Sequence, residues 1–452
     1  MRLFEKLAEK FAHIFPSPFS LAIILTGICF VFCLLFTQIE ASDYTQKAIF
    51  LADNWFRSAF NKDLLFFAFQ MVLILLFGNV LAISKPIDSL LNKVIHFCNN
   101  TANSAAIVSF LTISLAMINW GLGLVFGAIF AKKIAQKALK ENLPINYPII
   151  ATAGFSGMMV SHGGLSGSAP LKVAENGHFL ADKIGVIPVS ETTFSDMNIF
   201  VSFCVFIIIP LFFFFLGKHS NPLKIDELNN ESEILSIQKK AVFGAEKIDY
   251  SSFFAKSFGL FVLLMAFKNI RFDNQNFLGF LTLNFLNLCF LGFSLLFHKN
   301  IAVFLQAVDN SISGTSGIIT QFPLYFGILG IIESSGLINQ ISGFTAQFFN
   351  AETLPYYTFF SASMLNIFIP SGGGQWAIQG PIIVDSCTQL NADIYKNIMA
   401  FGYGDQLTNM IQPFWALPLL GITKIKASKI LPYSFLLMLL GAIIFTLGLI
   451  LF

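Results

Sequence analysis

Long apolar stretches recur along the chain and restrict its fold more than any other feature. Each approaches the roughly 20 residues that an α-helix needs to cross a bilayer core about 30 Å thick. The clearest are Ser20–Gln38, Leu64–Ile83, Asn198–Gly217, Ser252–Lys268, Phe277–Phe297 and Leu431–Phe452. Hydrophobic residues make up 55% of the 452 residues and charged residues only 12%, too few to cover a soluble protein. We therefore predict an all-α, multi-pass membrane protein with about ten to twelve embedded segments.

The charge and the cysteines argue against several other classes of protein. A formal net charge of +2 gives no sign of a nucleic-acid partner. The six cysteines are scattered, mostly in apolar runs, and form no CxxC pair, so we expect neither a disulfide framework nor a metal site, and no cofactor other than a coupling ion. The first 16 residues carry charges at helical spacing and no cleavage motif, which indicates a retained amphipathic lead-in on the cytoplasmic side.

A single long polar segment divides the chain into two apolar halves. Residues 218–250 are rich in charges of both signs, as expected of a solvated cytoplasmic linker. We predict a first transmembrane repeat over 1–217 and a second over 251–452. The halves share motifs, because Asn119 and Asn366 each precede a glycine-containing segment. Pro170 and Pro418 follow them at nearly the same separation, which indicates an internal duplication.

Loop charges indicate that the two halves have opposite orientations in the membrane. The first motif is followed by four lysines, Lys132, Lys133, Lys137 and Lys140. The corresponding stretch of the second half carries Asp385 and Asp393 with Lys396. Because basic loops stay cytoplasmic, equivalent loops should lie on opposite faces. Inverted-topology repeats of this kind are typical of secondary transporters.

Four polar or Gly/Pro-rich breaks interrupt the apolar sequence. They are Asn119–Gly127, His162–Pro170, Pro370–Pro381 and Gly402–Pro418. Hydrocarbon cannot satisfy the backbone groups that a broken helix exposes, so such segments are buried in protein or line an aqueous cavity. We expect re-entrant hairpins and broken helices that meet near the middle of the membrane. For Gly121, Gly123 and Gly127, close helix packing is an equally good explanation.

Two of these breaks favour the binding of an anion. Ser166, Gly167 and Ser168 precede Ala169-Pro170, and Ser371, Gly372, Gly373 and Gly374 precede Gln375. Free N–H groups at the start of a helix attract an anion, and glycines let a carboxylate approach the backbone. Asn119, Asn366, Gln375 and Gln379 complete the predicted substrate site. None of the four breaks contains Lys or Arg, which favours a small, singly charged acid.

Asp405 is the strongest candidate for coupling to an ion. It lies with Gln406 and Asn409 between apolar stretches, and an ionisable group at membrane depth is costly enough to indicate a function. It could carry a proton or bind Na⁺, and the alternative is a helix cap near an interface. His162 is either a proton relay or a hydrogen-bonded structural residue.

Two other functions compete with that of a transporter. Gly164-Leu165-Ser166-Gly167 matches the GxSG pattern of intramembrane serine proteases, but the duplicated halves have no role in that mechanism. A passive channel would give linear conductance, whereas a transporter would give saturable uptake.

Several long motifs resemble the short-chain fatty acid transporter family, which includes bacterial acetoacetate and butyrate uptake proteins. They are INWGLGLVFGAIFAKK, GGLSGSAPL, ETTFSDMNIF, IPSGGGQWAIQGPIIV and YGDQLTNMIQPFWALPLLGI. The resemblance runs over nearly the whole chain and extends distantly to elevator-type carriers of the ion transporter superfamily. It implies hairpin tips at Asn119–Gly127 and Pro370–Pro381, and unwound helices at Ser166–Pro170 and Asp405–Pro413.

The resulting hypothesis is uptake of a short-chain monocarboxylate in symport with H⁺ or Na⁺ by an elevator-like motion in the bacterial inner membrane. Ser166, Ser168 and Ser371 would hold the carboxylate with the loop glycines, and Asp405 would serve the coupling ion. A dicarboxylate or other organic anion is the alternative cargo. The expected partners are the substrate and membrane lipids, with a homodimer left open, and the protein is not expected to be an enzyme.

Overall fold

The computed structural model describes residues 18–37, 39, 43–174, 177–178, 180–223, 244–268, 270, 283–337, 349–367, 369 and 372–452. Within these ranges all regular structure is helical. Its α-helices are α1 (Pro18–Phe36), α2 (Tyr44–Ala59), α3 (Lys62–Ala82), α4 (Lys85–Ile95), α5 (Thr101–Ile118), α6 (Trp120–Glu141), α7 (Tyr147–Ala153), α8 (Ser168–Val173), α9 (Ala181–Ile184), α10 (Asp196–Lys218), α11 (Ser252–Lys268), α12 (Leu283–Phe297), α13 (Ile301–Ile312), α14 (Ser316–Ser334), α15 (Leu354–Asn366), α16 (Gly372–Leu390), α17 (Ile394–Thr408), α18 (Pro413–Thr423) and α19 (Ala427–Leu451). Short 3₁₀ segments lie at Ser156–Val160, Gly244–Lys247 and Ser313–Thr315.

Every apolar stretch found in the sequence is helical wherever the structure describes it. Five helical segments in the described ranges are long and apolar enough to cross a membrane: Leu64–Ala82, Thr101–Ile118, Asp196–Lys218, Ile301–Ser334 and Ala427–Leu451. Four shorter apolar helices accompany them, at Ala22–Phe36, Tyr147–Val160, Asn284–Phe297 and Pro413–Thr423. The predicted lead-in and most of the predicted linker, residues 224–243, lie outside the described residues.

The long helix α10 shows how these helices divide between core and lipid. Val201, Val205, Ile209 and Phe213 recur every fourth residue and are buried, so they form one stripe along the helix. Apolar side chains on its other face, such as Phe203, are exposed. A helix that is apolar all round and buried on one side only is suited to a lipid environment.

Glycines allow close crossings in the core of the first half. A Cβ atom on Gly123 would lie 2.5 Å from the Cβ of Ala116, and one on Gly127 only 2.0 Å from the carbonyl oxygen of Gly154. Both positions therefore serve close packing of α6 against α5 and α7. For Gly123 and Gly127, the packing explanation is the one that the structure supports.

The two breaks of the first half differ from the predicted segments. Asn119 alone separates α5 from α6, because its side-chain oxygen accepts the N–H of Leu122 at 3.1 Å and starts the next helix at once. The predicted tip over Asn119–Gly127 is thus mostly helical. The break predicted at His162–Pro170 covers residues 161–167, hereafter the first break. The prediction that the chain is unwound through Pro170 is wrong because α8 begins at Ser168.

The breaks of the second half are also shorter than predicted. Helix α16 begins at Gly372 and continues through Pro381, so the prediction of a break over Pro370–Pro381 is wrong for the residues of it that the structure describes. Pro370 and Ser371 lie outside the described residues. Helix α17 continues through Asp405 to Thr408, and Pro413 starts α18. The break predicted at Gly402–Pro418 is therefore restricted to residues 409–412, hereafter the second break.

The packing of the helices brings the two halves together around these breaks. Helices α15 and α17 lie side by side, and α17 also contacts α8 and α16. Helix α10 packs on α5 and on α19, while α18 packs on α6. Breaks that are far apart in the sequence therefore share one buried region.

Candidate functional site

Gln406 links the two broken helices directly. Its side-chain oxygen accepts the backbone N–H of His162 at 2.8 Å and that of Gly163 at 3.3 Å. These N–H groups belong to the break at 161–167, where a continuous helix would have used them. A side chain of the second half thus satisfies backbone groups exposed in the first, as burial requires.

His162 and Asp405 form a buried pair next to this link. The Nε2 atom of His162 lies 3.0 Å from Oδ1 of Asp405, and their side chains are 8% and 1% exposed. Among the described residues, Nδ1 of His162 and Oδ2 of Asp405 have no hydrogen-bond partner. A buried pair of ionisable side chains in an otherwise apolar protein is a candidate functional site.

The N-terminus of α16 closes over this pair. A Cβ atom on Gly372 would lie 2.1 Å from Cε1 of His162 and 3.2 Å from Oδ2 of Asp405. Only glycine permits this approach. The first-turn N–H groups of a helix have no partner within the helix and attract negative charge, so the Asp405 carboxylate lies where an anion is favoured.

Asn366, the last residue of α15, anchors the segment that follows Asp405. Its Nδ2 atom lies 2.7 Å from the carbonyl oxygen of Asp405 and 2.7 Å from Oδ1 of Asn409. Gln412 in turn donates a hydrogen bond to the carbonyl oxygen of Asn366. Asn366 and Asn409 thus hold the break in shape through contacts between polar groups.

Asn198 and Tyr403 support the first break, and we did not predict either as a site residue. The amide of Asn198 donates to the carbonyl oxygens of Gly163 at 2.8 Å and Thr193 at 2.6 Å. The Tyr403 hydroxyl donates to Oδ1 of Asn198 at 3.0 Å. An amide at the start of an otherwise apolar run was the signal available in the sequence.

The junction between α5 and α6 packs on the break at 161–167. Leu165 donates its N–H to the carbonyl oxygen of Met117 at 2.7 Å, and the oxygen of Ser166 accepts the N–H of Trp120 at 3.0 Å. Ser166 and Ser168 are half-buried, and Gly167 is buried. The Trp120 ring meets that of Trp415, from α18, edge-on at 5.1 Å.

Gln375 and Gln379 turn away from the His162–Asp405 pair. Gln375 donates to the carbonyl oxygen of Ala362 at 2.9 Å and to Oε1 of Gln379 at 3.1 Å. Gln379 donates to the hydroxyl of Ser361 at 2.9 Å. Both side chains therefore hold α16 against α15, although sequence reasoning had placed them on the substrate.

The contacts of Ser166 and His162 do not form a nucleophile–base pair. The serine oxygen accepts the Trp120 N–H, while the described contact of the imidazole is with Asp405. A serine protease needs the base within hydrogen-bonding reach of the nucleophile. Over the described ranges there is also no group of three or more His, Cys, Asp or Glu side chains that could hold a metal ion.

Comparisons with known proteins agree on one family. The family model described as short chain fatty acid transporter matches residues 1–452. A protein of Escherichia coli (strain K12), provisionally named a short-chain fatty acid transporter, is 34% identical over 440 residues, which is 97% of this chain and 96% of that protein. A protein of Haemophilus influenzae with the same provisional name is 33% identical, covering 96% of both chains.

Two solved transporters are similar over nearly their full length. The YdaH transporter of Alcanivorax borkumensis, described as having an unusual topology, matches with a TM-score of 0.45 and 14% identity, covering 96% of this chain and 98% of its own. MtrF of Neisseria gonorrhoeae, described as one of a class of antimetabolite efflux pumps, matches with a TM-score of 0.39 and 16% identity, covering 97% and 96%.

Proposed function

Because the chain belongs to the short-chain fatty acid transporter family, we propose that it takes up a short-chain monocarboxylate, such as acetoacetate or butyrate, in symport with a cation. It is a multi-pass membrane protein. We assign it to the bacterial inner membrane, as an extension of the same proposal.

The observation that carries this proposal is the meeting of two helix breaks at a buried ionisable pair. The breaks at 161–167 and 409–412 come from different halves, and Gln406, His162 and Asp405 join them. Charged and polar groups at this depth are expensive in a membrane protein and are kept where substrate or ions pass. Transporters commonly build such sites from broken helices.

The N-terminus of α16 is the proposed carboxylate site. Its 19 residues form a helix long enough to present a full N-terminal dipole, and it starts with three glycines. No described heavy atom lies within 4 Å of a Cβ placed on Gly373, so a ligand can approach the backbone there. Ser371, which lies outside the described residues, and the half-buried Ser166 and Ser168 complete the proposed donors.

The remaining predicted residues have supporting roles in this proposal. Asn119 starts α6, and Gly167 packs against His162 within the first break. Asn366 and Asn409 shape the second break, and Gln406 joins the two breaks. Gln375 and Gln379 fix α16 on α15. Asp405 serves the coupling ion.

We further propose inverted repeats with an elevator-like motion, over 1–217 and 251–452 with a linker at 218–250. In support, α5–α6 and α15–α16 each pair two consecutive helices. Each pair is followed by a broken helix, at 147–173 and 394–423. The opposite charge towards the C-terminal ends of α6, which carries four lysines, and of α16, which carries Asp385, supports the inversion.

Uptake by purified protein in liposomes tests the cargo. We expect saturable uptake of labelled acetoacetate or butyrate that depends on an imposed ion gradient, and little uptake of dicarboxylates. Proton and sodium gradients are applied in separate experiments. Preference for a dicarboxylate, or uptake linear in concentration without gradient dependence, would contradict the proposal.

A substitution in α16 tests the carboxylate site. Gly373→Ala adds a methyl group into open space at the helix start, so we expect folding to be kept and uptake to fall at least about tenfold, the effect of losing one charge-assisted contact. Asp385→Asn is the control, because Asp385 is half-exposed and pairs with Lys183 away from the breaks. Wild-type uptake by Gly373→Ala would place the substrate elsewhere.

A further inference from the structure

Asp405 lies between His162 and the start of α16, and each of them faces a different oxygen of its carboxylate. His162 contacts Oδ1 at 3.0 Å, and the start of α16 faces Oδ2, which is 3.2 Å from a Cβ position on Gly372. Both groups favour an ionised carboxylate, whereas its surroundings are water-poor, with the side chain 1% exposed. The carboxylate of Asp405 therefore occupies the N-terminus of α16, where the carboxylate of a substrate would otherwise bind.

We propose that the coupling ion is a proton shared by His162 and Asp405, and that ionised Asp405 competes with the substrate carboxylate for the N-terminus of α16. This inference rests on the proposed uptake of a monocarboxylate. Protonation of the pair removes its negative charge and allows the substrate to bind. Release of the substrate and of the proton returns Asp405 to the helix.

The charge balance of this exchange is closed. A neutral imidazole donates its Nε2–H to Oδ1 of an ionised Asp405, so the pair carries one negative charge. One further proton, taken from the aqueous side and placed on Oδ2 of Asp405 or Nδ1 of His162, which have no partner among the described residues, brings the pair to zero. The substrate then adds one negative charge, so the loaded site and the empty site each carry one negative charge. One proton and one carboxylate cross together, and the complete transport cycle moves no net charge.

Repulsion is strong enough to enforce the order of binding. Two carboxylates about 4 Å apart, at an effective dielectric constant near 20, weaken binding by about a thousandfold. Substrate binding without the proton would therefore be negligible. This coupling requires only that the Asp405 carboxylate and the substrate carboxylate bind at the same place, the N-terminus of α16.

The groups that face the pair within the described residues are mostly uncharged backbone and amide groups. From α17 these are Gly402 and Gln406, from α16 Gly372, and from α15 Asn366, which holds the Asp405 backbone. The other titratable side chain in contact with this region is Tyr403, whose hydroxyl donates to Asn198. Over the described residues, the contacts recorded for the pair include no Lys, Arg or second carboxylate.

The same geometry makes sodium a poor occupant. Hard cations prefer several oxygen ligands, and an imidazole nitrogen already contacts one oxygen of Asp405. A proton needs no further ligand. The pair is therefore suited to proton transfer.

Binding of labelled butyrate to the purified protein in sodium-free buffer tests the inference. Between pH 6 and 8.5, we expect wild-type affinity for butyrate to fall as the pH rises, by up to about tenfold for each pH unit, since each butyrate must bring in one proton. Asp405→Asn should bind butyrate with an affinity that does not change between pH 6 and 8.5, and should exchange butyrate without accumulating it in a pH gradient. Asp385→Asn should behave as wild type.

A measurement on the unmodified protein guards against failure of the variant to fold. In weakly buffered solution with an indicator dye, butyrate binding at pH 8 should take up one proton per butyrate bound. Butyrate binding without proton uptake, a requirement for Na⁺, or unchanged pH dependence in Asp405→Asn would each overturn the inference and leave butyrate transport intact. Failure of wild type to bind or transport any short-chain acid would instead overturn the proposed function.

Discussion

At the scale of single residues, the site depends on pairings between residues far apart in the chain. Sequence reasoning identified Asp405, and considered His162, because each is a polar residue beside apolar sequence. It could not predict that they pair, or that Gln406 caps the first break, since these contacts span more than half of the chain. It also placed Gln375 and Gln379 on the substrate, although their amides are used by α15. Residue type indicated polarity at depth, whereas packing decides each partner.

The close approach of Gly372 to His162 leads to a prediction on stability. Gly372→Ala would place its Cβ 2.1 Å from the imidazole, so we expect the ring to be displaced and the free energy of unfolding to fall by about 1–3 kcal/mol. Gly373→Ala is a matched control in the same helical turn, where no described atom lies within 4 Å. Thermal unfolding in detergent should separate the two variants, and equal melting temperatures would contradict the contact.

At the scale of helices, the positions of the breaks were predictable but their lengths were not. Breaks appear where Asn, Ser, Gly and Pro interrupt apolar sequence, as the chemistry requires. Capping then shortens them, because Asn119 starts α6 by accepting the N–H of Leu122. The glycines from Gly372 are helical because propensity is a weak preference that tertiary contacts override. The length of each break therefore depends on capping and tertiary contacts that a single sequence does not contain.

The crossing of α6 and α7 gives a second prediction, at the scale of elements. Gly127→Ala would place a Cβ 2.0 Å from the carbonyl oxygen of Gly154, which cannot move without shifting the helix. We expect at least about 1–3 kcal/mol lower stability, seen as a lower melting temperature by size-exclusion chromatography of heated samples. Gly27→Ala on α1 has no described atom within 4 Å and should be at least as stable as wild type. A neutral Gly127→Ala would rule out the close crossing.

At the scale of the whole molecule, the proposed inversion relates α6 to α16. Each helix is the second of its pair, and each is followed by an asparagine with positive φ, 53° at both Asn142 and Asn391. Asparagine tolerates this left-handed conformation better than most residues and commonly ends helices. The C-terminal half of α6 is rich in lysine, whereas the end of α16 carries Asp385 and is followed by Asp393. This difference in charge assigns the ends of the two helices to opposite faces of the membrane.

This assignment can be tested with single cysteines. Lys140→Cys and Gln389→Cys, each exposed near the end of its helix, are introduced after the six native cysteines are replaced by serine or alanine. In intact cells a membrane-impermeant maleimide should label Gln389→Cys and leave Lys140→Cys unlabelled until the cells are opened. The reagent reads only which side each thiol faces, so labelling of both from outside, or of neither, would mean that the pairs enter from the same face. The halves would then be parallel repeats, and alternating access could not come from inverting one half onto the other.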